Sequence, residues 1–305
     1  MLRQRLLSAL VIISCSLGFV ALDAKLPLGF DGLWMTLLAI YLMFGSAMEC
    51  CRMLKHRPGG FDSRPALIAC GGIMLAAILP LLWPLAGRTY PADCELGPLG
   101  WPLAASMIGM LGCFLWIMPK YVPGTQALEQ AMIGGWVASY FAIGFAFWVA
   151  LRQSGSGHWG LTLVVGIIVV TKFTDAGAYF TGRAFGKRKL CPNVSPGKTI
   201  EGLLGGMILG VVVSLIYFRL GVPWFYGQRW VNHDWLGPIT LGIALTLAGV
   251  VGDLLESVVK RETDFKDSSR VLPGLGGLWD VTDSLIPAGT IAYLIVAADL
   301  LGQPA

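Results

Sequence analysis

Nine apolar runs, each about 20 residues long, follow one another from one end of this 305-residue chain to the other. A helix of that length crosses a hydrocarbon core of roughly 30 Å. The predicted spans are residues 5–22, 32–49, 66–87, 99–118, 131–151, 160–181, 200–220, 236–256 and 283–301. Since only 13% of the residues are charged, the chain cannot cover the surface of a water-soluble enzyme. The sequence therefore predicts an all-α polytopic membrane protein of about nine transmembrane helices.

The distribution of Lys and Arg predicts the orientation of these helices, because cytoplasmic loops carry the excess of both residues. Nine spans place sixteen of them on one side: Arg3, Arg5, Arg52, Lys55, Arg57, Arg64, Lys120, Arg183, Lys187, Arg188, Lys189, Lys198, Lys260, Arg261, Lys266 and Arg270. The other side receives five: Lys25, Arg88, Arg152, Arg219 and Arg229. This asymmetry predicts a cytoplasmic N-terminus and a C-terminus on the outer side.

The first apolar run has two interpretations. Arg3 and Arg5 precede it, and Ser14-Cys15 faintly resembles a lipoprotein cleavage site, which would make the run a signal peptide. Its length and the lack of a clean small-x-small cleavage site favour a membrane span. Cleavage would leave the orientation of the remaining helices unchanged.

Ionisable side chains inside an apolar run are functional candidates, because a bilayer tolerates them only at a cost in free energy. Lys172, Asp175 and Tyr179 follow the spacing i, i+3, i+7, so they share one face of the sixth predicted helix. Arg183 follows one turn later. The alternative is a Lys–Asp pair that only joins two helices, or a lysine that reaches the membrane surface. We expect Asp175 to be functional.

The segment after the sixth span offers donors to a phosphate. Gly197-Lys198-Thr199 resembles the end of a nucleotide-binding P-loop, but Pro192 stands where that motif begins with glycine, and no strand is expected before it. Ser195, Lys198 and Thr199 remain, in a loop that opens the seventh helix. Hydroxyls, an ammonium and the amides of a helix N-terminus can bind phosphate there.

The eighth predicted span ends in a polar face. Two carboxylates, a hydroxyl and an ammonium recur at i, i+3, i+4 and i+7: Asp253, Glu256, Ser257 and Lys260. Asp280 and Asp283 repeat the i, i+3 carboxylate spacing where the ninth span begins. A carboxylate at the start of a helix can also simply cap it, so this role stays open for one of the two aspartates.

Oxygen ligands and cations gather on the predicted cytoplasmic side. The acidic residues there are Asp175, Asp253, Glu256, Asp267, Asp280 and Asp283, and the basic ones are Lys198, Lys260, Arg261, Lys266 and Arg270. Mg²⁺ is usually held by one or two carboxylates and by substrate phosphates, whose remaining charge basic side chains neutralise. Gly276 and Gly277 would let the backbone approach a ligand, or form a tight loop between helices. The pattern predicts a site for a divalent cation and phosphates.

These polar regions resemble the phosphatidate cytidylyltransferase (CDP-diacylglycerol synthase) family over about residues 130–300. The similarity lies in Ser257-Val258-Val259-Lys260-Arg261, in Lys266-Asp267, and in Pro273-Gly274-Leu275-Gly276-Gly277-Leu278-Trp279-Asp280-Val281-Thr282-Asp283. Residues 175–179, 182–187 and 195–202 look like a second block of that family. This sequence departs from the family pattern at Leu275, Val281 and Gly197, where His, Arg and a second Lys are usual.

The resemblance implies a membrane nucleotidyltransferase of phospholipid biosynthesis that makes CDP-diacylglycerol and pyrophosphate from CTP and phosphatidic acid with Mg²⁺, the presence of a second cation being open. The lipid phosphate would attack the α-phosphorus of CTP, so the protein would position substrates and neutralise charge. Asp253, Asp267 and Asp280 would hold the metal, supported by Asp283 and Asp175, and Lys260, Arg261 and Lys266 would contact nucleotide phosphates. The implied substrate-binding residues are Asp175, Tyr179, Arg183, Ser195, Lys198, Thr199, Glu256, Ser257, Gly276 and Gly277.

The chain would then consist of an N-terminal membrane region of about four helices (1–125) and a C-terminal catalytic region of about five (126–305). We expect it in the cytoplasmic (inner) membrane, with the active site facing the cytoplasm and with CTP, phosphatidic acid and membrane lipids as partners. The scattered net charge of +4 argues against nucleic acid as a partner. A homodimer is compatible with helices rich in small residues.

Two other functions stay open. A divergent relative could act on another lipid phosphate or have lost its activity, because Leu275 and Val281 remove a titratable group and a positive charge. A membrane transporter also combines many helices with intramembrane Asp and Lys. The concentration of polar residues at one membrane face, rather than at the midplane, argues against a transporter.

Overall fold

The structure is a computed structural model, and it describes residues 2–26, 28, 30–88, 90–91, 93–123, 125–155, 157–223 and 234–302. Within these residues nine segments are long and apolar enough to cross a membrane: Leu6–Lys25, Leu33–Leu54, Arg64–Leu81, Gly97–Lys120, Ala127–Arg152, Trp159–Phe185, Ile200–Gly221, Leu236–Glu262 and Leu278–Ala297. They correspond one to one with the predicted runs, which confirms the fold class. The orientation of the termini stays a prediction, and Arg229, which contributed to it, lies outside the described residues.

The helices are α1 (Leu2–Lys25), α2 (Leu33–Leu54), α3 (Arg64–Ile78), α4 (Leu82–Leu85), α5 (Gly97–Ile117), α6 (Ala127–Arg152), α7 (Trp159–Phe185), α8 (Ile200–Ile216), α9 (Leu236–Glu262), α10 (Leu278–Thr282) and α11 (Leu285–Ala297). Short 3-10 turns extend α3 and α5, and a π-helical turn, Tyr217–Gly221, extends α8. The last predicted span is therefore two helices, with Asp283 and Ser284 at the break between them.

A two-stranded antiparallel hairpin precedes α8, in a segment where the sequence predicts a loop. Strand β1 (Lys189–Cys191) pairs with β2 (Ser195–Thr199), so that Lys189 lies opposite Thr199. The hairpin continues into the helix, because the Ile200 amide donates to the Arg188 carbonyl and the Thr199 hydroxyl accepts from the Gly202 amide. Thr199 is thus the N-cap of α8.

The described chain separates into two compact units. The first consists of Met1–Gln153 and Val259–Thr282, and the second of Ser154–Val258 and Asp283–Ala305. The predicted division into an N-terminal membrane region (1–125) and a C-terminal catalytic region (126–305) is based on the position of the motifs and not on compactness. It stays a prediction.

In the core of the first unit, α2 and α3 contribute mainly small and sulfur-containing side chains, and α6 contributes alanines together with large aromatic side chains. The small side chains let helices approach one another closely. Met43, Ala47 and Cys50 of α2 are fully buried. The short helix α10 packs on α2, where a Cβ at Gly45 would overlap the side chain of Leu278. This contact brings the last residues of the first unit against a helix near the start of the chain.

A buried ion pair joins α1 to α6 in the first unit. The Arg152 guanidinium Nε lies 2.5 Å from Asp23 Oδ2, and the two side chains are 3% and 0% exposed. The other oxygen of Asp23 accepts from the Met35 amide at 3.2 Å. Arg152 is one of the five basic residues predicted on the outer side of the membrane. The ion pair gives it a partner within the protein as well.

Glycines hold the helices of the second unit together. A Cβ at Gly242 would lie 2.5 Å from the Val211 amide nitrogen, so α9 and α8 are in backbone contact there. Gly206 faces the Thr174 carbonyl of α7, and Gly210 faces the Thr174 side chain. The glycines of α8 therefore allow it to pack closely on its neighbours.

Candidate functional site

Three carboxylates of the second unit lie close together. Asp253, Glu256 and Asp283 each have an oxygen within 4.8 Å of the others. Helical periodicity places Asp253 and Glu256 on one face of α9, as the spacing predicts. Asp283 lies beside them because the helix is interrupted between α10 and α11. At this interruption the backbone of Asp283 contacts α9 so closely that a Cβ at Gly252 would overlap the Asp283 carbonyl. We call these three residues, together with Lys172, Asp175, Lys198 and Ser284, the Asp253 cluster.

Lys198 supplies a positive charge to this cluster. Its ammonium Nζ lies 2.8 Å from Asp253 Oδ2 and donates to the Val250 carbonyl at 3.2 Å. The other oxygen of Asp253 accepts from the Ser257 hydroxyl at 3.3 Å. The hairpin thus delivers Lys198 from β2 to the polar face of α9. The lysine side chain is 19% exposed and the aspartate side chain 43% exposed, so the lysine is held inside the cluster while the carboxylate stays accessible.

A second ion pair belongs to the same cluster. Lys172 Nζ donates to the Ser284 hydroxyl at 3.0 Å and lies 3.6 Å from Asp175 Oδ2. The Ser284 hydroxyl in turn donates to Asp175 at 3.1 Å. Lys172 and Asp175 therefore face Ser284, where the helix is interrupted between α10 and α11. They lie on the same side of α7, as the sequence predicts. Tyr179 is 59% exposed, and its hydroxyl accepts from Arg183 rather than joining this cluster.

The chemistry of the Asp253 cluster fits a hard divalent cation. Mg²⁺ and Ca²⁺ prefer carboxylate oxygens, at roughly 2.0–2.6 Å from the ion. Oxygens within 4.8 Å of one another, as in Asp253, Glu256 and Asp283, can therefore converge on a single cation. Of the three ligands predicted from the sequence, Asp253 belongs to this group, whereas Asp267 and Asp280 lie in the first unit.

Asp280 is surrounded by donors within the first unit. Its Oδ1 accepts from the Lys260 ammonium at 2.5 Å, and its Oδ2 accepts from the amides of Ser268 at 2.9 Å and Gly277 at 2.6 Å. The Ser268 hydroxyl is 2.5 Å from the same oxygen. The bond from Gly277 caps α10, which is the capping role left open for one of the two aspartates.

Glu49, a buried residue of α2, belongs to this site although it lies outside the motifs recognised in the sequence. Its carboxylate accepts from the hydroxyls of Ser268 at 2.8 Å and Ser269 at 2.6 Å, and from the amides of Leu278 at 3.0 Å and Trp279 at 2.9 Å. The signal was present, because an ionisable residue at the end of an apolar run is a functional candidate. We call Glu49, Lys260, Ser268, Ser269 and Asp280 the Asp280 cluster.

The remaining predicted residues differ in their exposure. Arg261, Lys266 and Asp267 are exposed at the end of α9 and in the segment after it. Arg183 is exposed, Ser195 is partly buried and Thr199 caps α8. Gly276 has a φ of +100°, and a Cβ at Gly277 would overlap Glu49 and Ser268. The ligand roles of Asp267 and Asp280 stay predictions.

Glu201 fixes the basic segment that leads into the hairpin. Its carboxylate accepts from the amides of Lys187 at 3.0 Å and Arg188 at 3.1 Å. The side chains of Arg183, Lys187, Arg188 and Lys189 are exposed around this turn. The result is an ordered, positively charged loop at the end of α7.

Comparison with known proteins identifies relatives of this chain. Residues 3–298 match the model of the cytidylyltransferase family. Two relatives named phosphatidate cytidylyltransferase are 45% identical over 129 residues (Haemophilus influenzae) and 36% over 163 (Bacillus subtilis). An uncharacterized protein of Escherichia coli, YnbB, is 34% identical over 202 residues.

These alignments cover 42%, 52% and 66% of this chain, in the order Haemophilus, Bacillus and Escherichia. They span 43%, 56% and 64% of the relatives' own lengths. The family model, in contrast, extends over nearly every residue, including the four N-terminal spans, which lie outside the motifs that carry the resemblance. The chain is an integral membrane protein that belongs to the cytidylyltransferase family.

Proposed function

We propose that this protein transfers the cytidylyl group of CTP to phosphatidic acid, which yields CDP-diacylglycerol and pyrophosphate in phospholipid biosynthesis. The observation that carries the proposal is the Asp253 cluster, in which hard oxygen ligands and two ammonium groups meet at membrane-spanning helices of a cytidylyltransferase family member. The names of the relatives in Haemophilus and Bacillus support the same reaction.

Asp253, Glu256 and Asp283 would hold the divalent cation, for which we propose Mg²⁺. When bound, the cation neutralises phosphate charge and polarises the phosphorus that is attacked. The engagement of Asp280 with Lys260, Ser268 and Gly277 favours a role in orienting the lysine. Asp267 is exposed and available to a ligand from solution.

Lysines in each of the two clusters would neutralise phosphate charge. An ammonium has three hydrogens. Lys198 directs two of them at Asp253 and Val250 among the described residues, which leaves one for a phosphate oxygen. Asp280 fixes the direction of Lys260, so this ammonium is held in place before a substrate arrives. Preorganised charge of this kind stabilises the transition state without reorganisation during the reaction.

The lipid would approach from the bilayer and CTP from the cytoplasm. The exposed cations near the end of α7, Arg183, Lys187, Arg188 and Lys189, attract anionic headgroups. Phosphatidic acid needs no protein nucleophile, because its own phosphate oxygen attacks the α-phosphorus of CTP while pyrophosphate leaves. The positive-inside distribution supports a cytoplasmic active site in the inner membrane.

The decisive experiment measures pyrophosphate release by the purified protein in detergent. CTP, phosphatidic acid and Mg²⁺ are supplied together, and each is then omitted in turn. We expect release only when all three are present. No release from folded protein, with other nucleotides and lipid phosphates also failing, would refute the proposal.

Variants assign the carboxylates in the same assay. Asp253→Asn should abolish release, because it removes a charge from the proposed cation site. The matched control is Asp93→Asn, which changes an exposed carboxylate before α5 and should release pyrophosphate at the wild-type rate. Asp267→Asn and Asp280→Asn test the roles predicted from the sequence, and wild-type turnover in either would exclude a required role for that carboxylate.

A further inference from the structure

We infer that Glu49 is a positioning residue for the reaction. Its carboxylate holds the start of α10 and the two serines before it against α2, and thereby sets the position of the Asp280–Lys260 pair. The inference rests on the proposed function, in which Lys260 contacts nucleotide phosphates. It assigns a role in catalysis to the N-terminal half of the chain, where the sequence motifs of the reaction are absent.

Four donors converge on the Glu49 carboxylate. Two are amides at the free N-terminal end of α10, and two are the hydroxyls of Ser268 and Ser269. A negative charge is favoured at this end of a helix, because its amides have no partner within the helix. Glu49 is only 8% exposed, so these bonds lie away from solvent. One side chain of α2 therefore fastens two separate points of the segment between α9 and α10.

Ser268 connects Glu49 to the Asp280–Lys260 pair. Its hydroxyl lies 2.8 Å from Glu49 Oε2 and 2.5 Å from Asp280 Oδ2, so its single hydrogen is shared between the two carboxylates. Its amide donates to the same Asp280 oxygen at 2.9 Å. The opposite oxygen of Asp280 holds Lys260. A displacement of Ser268 would therefore remove two contacts from Asp280 and reorient the lysine.

The backbone around Glu49 is shaped for this contact. A Cβ at Gly277 would overlap both the Glu49 carboxylate and the Ser268 hydroxyl. One turn before Glu49, the Ser46 hydroxyl lies 2.8 Å from that of Thr282, at the other end of α10. Both ends of α10 are thus bound to α2, and the carboxylate binds the end that adjoins Asp280.

Glu49→Gln tests the charge at nearly constant shape. The amide group of glutamine carries its own hydrogens, so it cannot accept from all four donors. We expect kcat/KM for CTP to fall by about 10- to 100-fold, because misplaced charged groups lose transition-state stabilisation, while KM for phosphatidic acid stays unchanged. Glu49→Asp keeps the charge and should recover part of the loss.

The matched control is Thr36→Val, which changes a buried residue of the same helix without altering its size and should leave both constants unchanged. Ser269→Ala should also lower kcat/KM for CTP, and combining it with Glu49→Gln should add less than the separate losses predict. A purely structural Glu49 would lower only the yield or the melting temperature, and per-molecule kinetics equal to wild type would overturn the inference.

Hydrogen exchange tests the same inference without any turnover. Glu49→Gln should accelerate amide exchange in residues 266–282 and leave exchange in α6 unchanged, whereas Thr36→Val should alter neither. Unchanged exchange in residues 266–282 would overturn the inference even if activity fell. If the wild-type protein failed to use CTP at all, the proposed function would be refuted, and the exchange result would still decide whether Glu49 holds this segment.

Discussion

Removing the charge of Asp23 should destabilise the first unit far more than the loss of a surface charge would. Asp23→Asn keeps the size of the side chain but leaves the Arg152 guanidinium without its counter-ion. Because the two side chains are 0% and 3% exposed, water cannot replace the lost partner. Breaking a buried ion pair from one side costs about 3–5 kcal/mol.

A surface pair provides the matched comparison. Arg57 and Glu129 lie 2.8 Å apart, but their side chains are 27% and 42% exposed. Glu129→Gln should therefore cost roughly 0–1 kcal/mol. The assay is reversible unfolding of the protein in mixed micelles of increasing SDS content, followed by tryptophan fluorescence, with the free energy of unfolding compared between variants.

A double variant separates the cost of an unpaired charge from the value of the pair. Asp23→Leu combined with Arg152→Leu removes both charges, so it should be more stable than Asp23→Asn alone. The reasoning is refuted if Asp23→Asn costs no more than Glu129→Gln, or if the double variant is less stable than the single one.

Three further predictions concern the metal, the helix contacts and the loop before α5. Chelation of divalent cations by EDTA should abolish turnover, and Mg²⁺ should restore it in the wild type but not in Asp253→Asn. Gly242→Val should lower the melting temperature in detergent, because a Cβ there would lie 2.5 Å from the Val211 amide nitrogen; an unchanged value would contradict the backbone contact. The hydrogen bond from the Tyr90 hydroxyl lowers the pKa of the Cys94 thiol. Tyr90→Phe should raise that pKa and slow alkylation of Cys94 near pH 7.5, as measured by peptide mass spectrometry with Cys94→Ser as the blank, and an equal rate would exclude the effect.

The spans could be predicted from the sequence because the bilayer imposes a local rule. Every backbone amide of a spanning segment must be satisfied within that segment, so an apolar run of about 20 residues becomes a helix whatever lies around it. The polar face of α9 follows equally from local geometry, because Asp253 and Glu256 are one turn apart. The reaction itself was predicted only from the resemblance of the motifs to a known family.

The hairpin and the break after α10 depend on less local interactions. The segment Ser195–Thr199 is predicted as a loop, and its β-pairing with Lys189–Cys191 becomes evident only when the two segments are brought together. Asp280 and Asp283 have the spacing of neighbours on one helix. Because α10 ends at Thr282, the two carboxylates enter different clusters instead.

The membrane-spanning segments, the concentration of polar residues and the family similarity of the motifs can all be predicted from the sequence, because these features depend on residues close together in the chain. The contacts of Glu49 with Ser268, of Asp23 with Arg152 and of Asp283 with Asp253 depend on the tertiary structure. The partners in the first two pairs are separated by 219 and 129 residues. Helical periodicity relates only residues within one helix, so it cannot predict these partners. The pairs form because the helices pack together and because an unpaired buried charge is costly in free energy.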